Sequence, residues 1–542
     1  MHMAMALLGI CRAWTHVART LLAKHIYADL SPSSCIPISC MAQRYSSASS
    51  VVRACLQRSA RTAVVRIPVN VLRDGAFGDI WDVTMGSELE QTFPAVRSLS
   101  LCIYWPPDLD DSDPEHPEMH TGYQMDRQNR KLVRRAASRL ANAFPALRHI
   151  ELQCGKVQTH VASAMTGALF RNFVAQTRSH VRTIGYCAWD HLVKTDYLPM
   201  ATGLTRLCIN QVVYNTSTSL QLAVGNAATL QTMDLSLGAS FLCASLLLDE
   251  SGGLVQYKRM QWLRLAVYGG VPFVHRNICN GAFPGLKHLL LPGVFPFSDS
   301  AILDSNAMTL ESLCLGVSSY MLHPYTERFQ LLSSGRFPRL RSVELRALPA
   351  ADPFLLPGLN DQTVEHVPLA YYHMACALAT NATQLVLDFG STHRHCDLSN
   401  KEALFDAMDR FAMQGLELLD LRSGCSVLGV EDIAALSKRL PTLVHLLCRA
   451  RTVDGLEGDP VGGSKLRELS LMIQDDSVTP FVSRLELVLP VLERINVYPA
   501  ESSGQPWLLQ SCSMQSRVTL RRYSTASTTN CAPVAYDEWW HE

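Results

Sequence analysis

A chain of 542 residues and 60.0 kDa predicts three or four compact domains from length alone, a number that internal repeats overturn. Its hydrophobic content of 48% and mean hydropathy of +0.07 exclude a wholly disordered or fibrous polymer. The 48 Lys and Arg residues balance 48 Asp and Glu, which excludes a global basic field directed at nucleic acid or an anionic membrane.

In chain order, the first predicted element is an amphipathic helix. Leu7, Ile10, Cys11, Trp14, Val17, Ala18, Leu21 and Leu22 share one face, with Arg12, Arg19 and Lys24 elsewhere. Residues 1–30 are read as short helices and 31–60, which include the serine-rich stretch 31–50, as a linker or N-terminal cap. Nine Arg/Lys against the single acid Asp29 across residues 1–73 also match the composition of a mitochondrial transit peptide, an alternative to the folded helix.

From residue 61 onward a phrase built as leucine, two residues, leucine, one residue, leucine returns along the chain. Its fullest copies are the nonamers beginning at Phe93, Phe144, Phe283 and Phe337. Shorter copies begin at Leu204, Leu230, Leu310, Leu416, Leu443, Leu466 and Leu492, with weaker ones near Val181, Met260 and Ala382. The first-leucine positions 204, 230, 260, 286, 310 and 340, and then 416, 443, 466 and 492, are about 20 to 30 residues apart, which is a leucine-rich-repeat period. The steps 96 to 147 and 340 to 382 are longer and must hold insertions, one of them near 106–125.

Between copies, apolar residues recur at helical spacing, as from Gly429 to Leu440, so each unit reads as one strand and one helix. Strands pack about 4.8 Å apart and helices about 8 to 10 Å apart, so stacked units bend with the strands inside. The expected fold is therefore α/β: a curved leucine-rich-repeat solenoid with irregular repeats over 61–498, followed by a C-terminal cap and flexible tail over 499–542. Strand alternation directs Leu207 and Ile209 to the core and their neighbours to the concave face. On that face the candidate partner-binding residues are Arg206, Asn210, Asp234, Glu344, Arg346, Asp388, Asp420, Arg422, Glu468 and Arg494, with ordinary solvated side chains as the alternative reading.

The stretch Leu7-Leu8-Gly9-Ile10-Cys11-Arg12-Ala13-Trp14 resembles the second half of an F-box, and the repeats that follow resemble those of fungal F-box proteins. The resemblance implies a substrate-recognition adaptor of a Skp1-cullin ubiquitin ligase, with Leu8, Ile10, Cys11, Trp14 and Val17 carrying the Skp1 contact. Only the C-terminal half of the F-box is present. Either an upstream start supplies the rest or the helix now caps the solenoid. A stand-alone binding module without ligase subunits is the competing reading, and for these five residues packing within a terminal helix competes with partner binding.

No catalytic residue, cofactor or metal is expected. Gly458 to Lys465 ends Gly-Ser-Lys rather than Gly-Lys-Ser/Thr, and a strand phrase follows where a phosphate loop needs a helix. His393, His395 and Cys396, or His116 and His120, fall short of a four-ligand zinc pattern. Six acids between Asp108 and Glu118 precede the basic run Arg127 to Arg139, blocks that mask one another, exchange with a partner or are simply solvated. Seventeen scattered cysteines with no C-x-x-C pair favour a reducing compartment, the cytoplasm or nucleus. The longest apolar run, Leu235 to Leu248, is shorter than the roughly 18 residues that span a bilayer. The expected partner is a protein on the solenoid surface, with Skp1 at the N-terminus, and neither nucleic acid nor membrane.

Overall fold

The computed structural model describes residues 25–30, 58–85, 92–104, 127–154, 160–188, 201–211, 217–238, 246–247, 251–268, 281–294, 301–318, 337–348, 367–388, 401–413, 415–423, 427–450, 462–473, 484–485, 487–499, 507–511 and 519–525. The chain forms two compact units, Met1–Gly285 and Leu286–Glu542.

In the first unit, strands β1 (His25–Asp29), β2 (Thr62–Pro68), β3 (Ser98–Tyr104), β4 (His149–Cys154), β5 (Thr183–Ala188), β6 (Arg206–Gln211), β7 (Thr232–Gly238) and β8 (Trp262–Tyr268) pair in chain order. Every pair is parallel. Helices α1 (Val69–Arg73) and α2 (Phe77–Met85) follow β2, α3 (Arg127–Ala143) follows β3, α4 (His160–Thr177) follows β4, and α5 (Ser217–Gly225) follows β6.

The second unit repeats the arrangement. Strands β9 (His288–Val294), β10 (Ser312–Ser318), β11 (Ser342–Leu348), β12 (Gln384–Asp388), β13 (Leu418–Ser423), β14 (His445–Ala450), β15 (Glu468–Ile473) and β16 (Arg494–Pro499) are parallel neighbours in sequence order. Beyond them β17 (Trp507–Ser511) and β18 (Thr519–Thr525) form a hairpin, and β18 pairs parallel to β16. Helices α6 (Ala301–Asn306), α7 (Val367–Leu378), α8 (Lys401–Arg410) and α9 (Val430–Arg439) lie between these strands in sequence. A parallel strand needs a crossover to reach its neighbour, and each of these helices lies in one such crossover.

The leucine phrase sets where each strand begins. Strands start two residues after the phrase's first aliphatic position at Leu204, Leu230, Met260, Leu286, Leu310, Leu340, Leu416, Leu443, Leu466 and Leu492, and equally at Val96, Leu147, Val181 and Ala382. A proline-assisted turn makes the start sharp. The carbonyl of Phe93 accepts the Val96 N–H at 3.2 Å, as do those of Phe337 from Leu340 at 3.2 Å and Leu440 from Leu443 at 3.0 Å. Pro94, Pro338 and Pro441 occupy the second turn position, where their fixed φ suits the turn. One carbonyl then receives two N–H groups of the next strand: Arg97 O accepts from Arg148 and His149, and Arg148 O from Arg182 and Thr183. The same fork recurs in the second unit, where Glu311 O accepts from Arg341 and Ser342.

Apolar side chains at the second and fourth strand positions form the core. Leu99 and Leu101, Ile150 and Leu152, Leu207 and Ile209, Val343 and Leu345, and Leu469 and Leu471 are all buried. The aromatic residue that opens the phrase stacks on its counterpart in the adjoining repeat, Phe93 on Phe144 at 5.7 Å and Tyr257 on Phe283 at 5.1 Å between ring centroids. Facing them, α3 buries Val133, Ala136, Ala137, Leu140 and Ala143, and small alanines let it lie close to α4.

Strands are also present in both terminal segments. His25–Asp29 is a strand in register with Thr62–Arg66, not part of a helical segment 1–30, because Ile26, Ala28 and Leu30 occupy buried positions beside Ala63, Val65 and Ile67. At the other end Thr519–Thr525 adds to β16, within the segment read as a C-terminal cap and tail. Among the described residues, no helix is long and apolar enough to cross a membrane.

Candidate protein-interaction face

With the aliphatic side chains directed to the core, the first, third and fifth strand positions define the opposite face of each ladder. In the first unit the third row reads Ser100, Glu151, Gly185, Cys208, Asp234 and Arg264 from β3 to β8, and the fifth begins Asp29, Arg66, Cys102, Gln153 and Cys187. Arg264 Nη1 donates to both carboxylate oxygens of Asp234, at 2.9 and 3.2 Å. Burial raises the Asp234 carboxyl above its ordinary range, an effect that Arg264 opposes without cancelling. Beside it, burial pushes the Cys208 thiol strongly upward, and the Asp234 carboxylate adds to the shift.

At the start of that ladder Tyr104 donates its hydroxyl to Asp29 at 2.9 Å. Arg66 lies 3.6 Å from the same carboxylate and 4.5 Å above the Tyr104 ring. Gln153 donates to Glu151 at 2.8 Å. Gly185 leaves a notch beside Glu151, since a β-carbon there would stand 3.4 Å from the Glu151 Cγ.

The second unit carries two further charged groups. Glu344 and Arg346 form an ion pair along β11, and the register sets Arg346 opposite Asp388. Across β14, β15 and β16, His445 Nε2 meets Ser470 Oγ at 3.2 Å, Asn496 Nδ2 donates to Glu468 at 2.7 Å and to Ser470 at 3.2 Å, and Arg494 donates to Glu468 at 3.3 Å.

The geometry brings together three pairs of the sequence-predicted positions: Glu344 with Arg346, Arg346 with Asp388, and Glu468 with Arg494. Arg206 opens β6 beside Thr183 and Thr232. Asp420 is buried at the third position of β13. The register shifts just after it, so Asp388 faces Ser423 rather than Arg422, and the Arg422 side chain lies outside the described residues, as does that of Asn210. The F-box-like residues Leu8, Ile10, Cys11, Trp14 and Val17 also lie outside the described residues.

Sequence reasoning missed Arg264, Tyr104, His445, Ser470 and Asn496. Arg264 stands between Leu263 and Leu265 in a phrase that opens with methionine, and alternation alone marks it as outward-facing. Among the described residues no group of three or more His, Cys, Asp or Glu is placed to hold a metal.

No family model matches the chain, and no curated protein matches it. Among solved structures it is similar to the complex of Rad7 and Elc1 in yeast, with 12% identity and a TM-score of 0.25 over 87% of this chain and 77% of that one.

Proposed function

We propose that the chain is a non-enzymatic protein-interaction scaffold. In this reading the two ladders belong to a curved leucine-rich-repeat solenoid whose charged strand faces capture a protein target. The observation that carries it is the division of labour on the strands: buried aliphatics on one side and, on several of them, paired but accessible charges on the other, as at Glu344–Arg346 and Glu468–Arg494. Such groups exchange intramolecular partners for those of a complementary surface and provide specificity more than bulk affinity. The finer role is that of an F-box-like adaptor, in which Leu8, Ile10, Cys11, Trp14 and Val17 bind Skp1 and the ubiquitin chemistry belongs to associated subunits. Its support is the N-terminal sequence phrase.

The test is affinity capture of the full chain from cells, read by mass spectrometry. The wild type should retain Skp1 and cullin together with a target. Trp14→Ala should lose the ligase subunits and keep the target, while Arg346→Ala with Arg494→Ala should do the reverse, each with an unchanged circular dichroism spectrum. Target retention without Skp1 in the wild type would establish a stand-alone binding module and reject the adaptor role.

A further inference from the structure

Helix α3 presents a second charged surface, away from the strand rows. Arg127, Arg130, Lys131, Arg134, Arg135 and Arg139 recur at spacings of three and four, which places them on one side of the helix, with Val133, Ala136, Ala137 and Leu140 buried on the other. Together with Ser138 and Asn142 they line a trough of about 920 Å³. Arg139 is engaged, donating to Asp82 and to the Gly78 carbonyl. Among the described residues Arg127, Lys131, Arg134 and Arg135 make no ion pair.

This placement works against the helix. Like charges three and four residues apart repel, and the first turn of α3 carries Arg127 and Arg130 with no acid, the end where the helix dipole disfavours cations. A stripe in which Arg127, Lys131, Arg134 and Arg135 gather like charge without an ion pair among the described residues conflicts with local stability, and such a conflict marks a surface that serves another role. We propose that the α3 stripe is a docking site for an acidic protein segment, one rich in Asp and Glu.

Two features choose this partner over a nucleic acid. The cations are mostly arginine, whose planar fork takes a carboxylate through two bonds, and no aromatic ring interrupts the stripe to stack on a base. In addition, the exposed carboxylate of Asp79 on α2 borders its Arg135 and Arg139 side, beside the half-buried Asp82 that Arg139 engages, where a body as broad as a duplex would press phosphates against them. A single extended peptide fits beside them. From Arg127 to Asn142 the stripe runs for roughly 22 Å at 1.5 Å per residue, the length of about seven residues of extended chain.

The experiment titrates a fluorescent peptide of about eight glutamates, and its glutamine counterpart, with the full-length protein at about 50 mM and about 300 mM salt, reading anisotropy. The glutamate peptide should bind at low salt and weaken at least about tenfold at high salt, while the glutamine peptide should not bind. The variant R127Q/K131Q/R134Q/R135Q should lose at least about tenfold in affinity while retaining its thermal midpoint. The same loss in R134Q/R135Q alone, a milder change, guards against misfolding of the fourfold variant. Equal binding by wild type and variant overturns the proposal, as does no binding at low salt. Stripe-dependent binding of duplex DNA or of phosphatidylserine vesicles tighter than that of the peptide overturns the choice of partner. Because the readout uses neither Skp1 nor the strand-face target, its result is independent of the function proposed above.

Discussion

Asn226 accepts the backbone N–H of Leu204 through its Oδ1 at 2.9 Å, and so ties the end of α5 to the approach of β6, the strand that precedes it. Its Nδ2 donates to the carbonyls of Ala201 at 2.7 Å and Leu222 at 2.8 Å, and Thr229 Oγ1 donates to Leu204 O at 2.7 Å. The second unit repeats the device: Asn306 accepts from Leu286 at 3.0 Å and donates to Ile302 at 2.9 Å, while Thr309 donates to Leu286 O at 2.8 Å. Both sites read Asn-Ala-x-Thr-Leu in sequence.

Each of these asparagines is buried, so removing the amide strands backbone groups away from water. Asn226→Ala and Asn306→Ala should each cost about 2–3 kcal/mol. Asn226→Asp should be no better than alanine, because a carboxylate still accepts from Leu204 but faces the Ala201 and Leu222 carbonyls with no donor. Urea unfolding monitored by circular dichroism checks both; an aspartate variant as stable as wild type would show that the Nδ2 bonds contribute nothing.

The Asp234–Arg264 pair leads to a second prediction. Both side chains are mostly shielded, at 11% and 18% exposure, so losing the arginine leaves a carboxylate without its compensating charge. Arg264→Ala should destabilise by about 1–3 kcal/mol, more than the double variant Asp234→Ala/Arg264→Ala. A double-mutant cycle measures the coupling, and an additive result would mean that the pair adds no net interaction.

Much of this architecture is legible in the sequence. An aliphatic row must face the core at a fixed phase from the turn, so the leucine phrase located strand starts even at Val181 and Ala382, where it is weakest. β1 and β2 escaped because Ile26, Ala28, Ala63, Val65 and Ile67 satisfy the same rows with β-branched and small residues that spell no leucine phrase. The face itself was legible, its partnerships less so. Pairing Asp234 with Arg264, or Asn496 with Glu468, depends on register between strands about 30 residues apart, and the shift after Asp420, which sets Asp388 opposite Ser423, shows that one irregular residue changes which positions face each other.

Each unit also contains a histidine whose charged form the fold disfavours. Burial lowers His149 from its ordinary 6.5, helped by Arg206 and Arg148. Burial likewise lowers His288, with Glu311 opposing and Lys287 assisting. A lowered folded value means that the unfolded chain binds more protons in this range. The stability from these neutral imidazoles is therefore complete above 6.5 and declines as pH falls through the folded values. Asp234, shifted upward, works in the opposite sense, since its protonation relieves a buried charge. His149→Gln/His288→Gln should consequently flatten the fall in thermal midpoint between about pH 7 and pH 5. An unchanged slope would assign the acid sensitivity to other groups.

Thiol chemistry probes the interior of the second unit directly. Cys376 on α7 is fully buried, and burial pushes its thiol up to about 12; Cys448 on β14 is raised by burial, reinforced by Asp420. At pH 8 a thiol of that acidity is ionised in only about one molecule in ten thousand, and the surrounding side chains exclude reagent as well. Iodoacetamide should leave both residues unmodified in the native protein and alkylate them once urea opens the unit, with peptide mass spectrometry identifying the sites. Because the thiolate is the reacting species, the rate at Cys376 is set jointly by acidity and access. Replacing its neighbour Tyr372, also buried on α7, by alanine should open a cavity and accelerate labelling at Cys376 more than at Cys448. Equal acceleration at both would instead indicate that the unit opens as a whole before either thiol reacts.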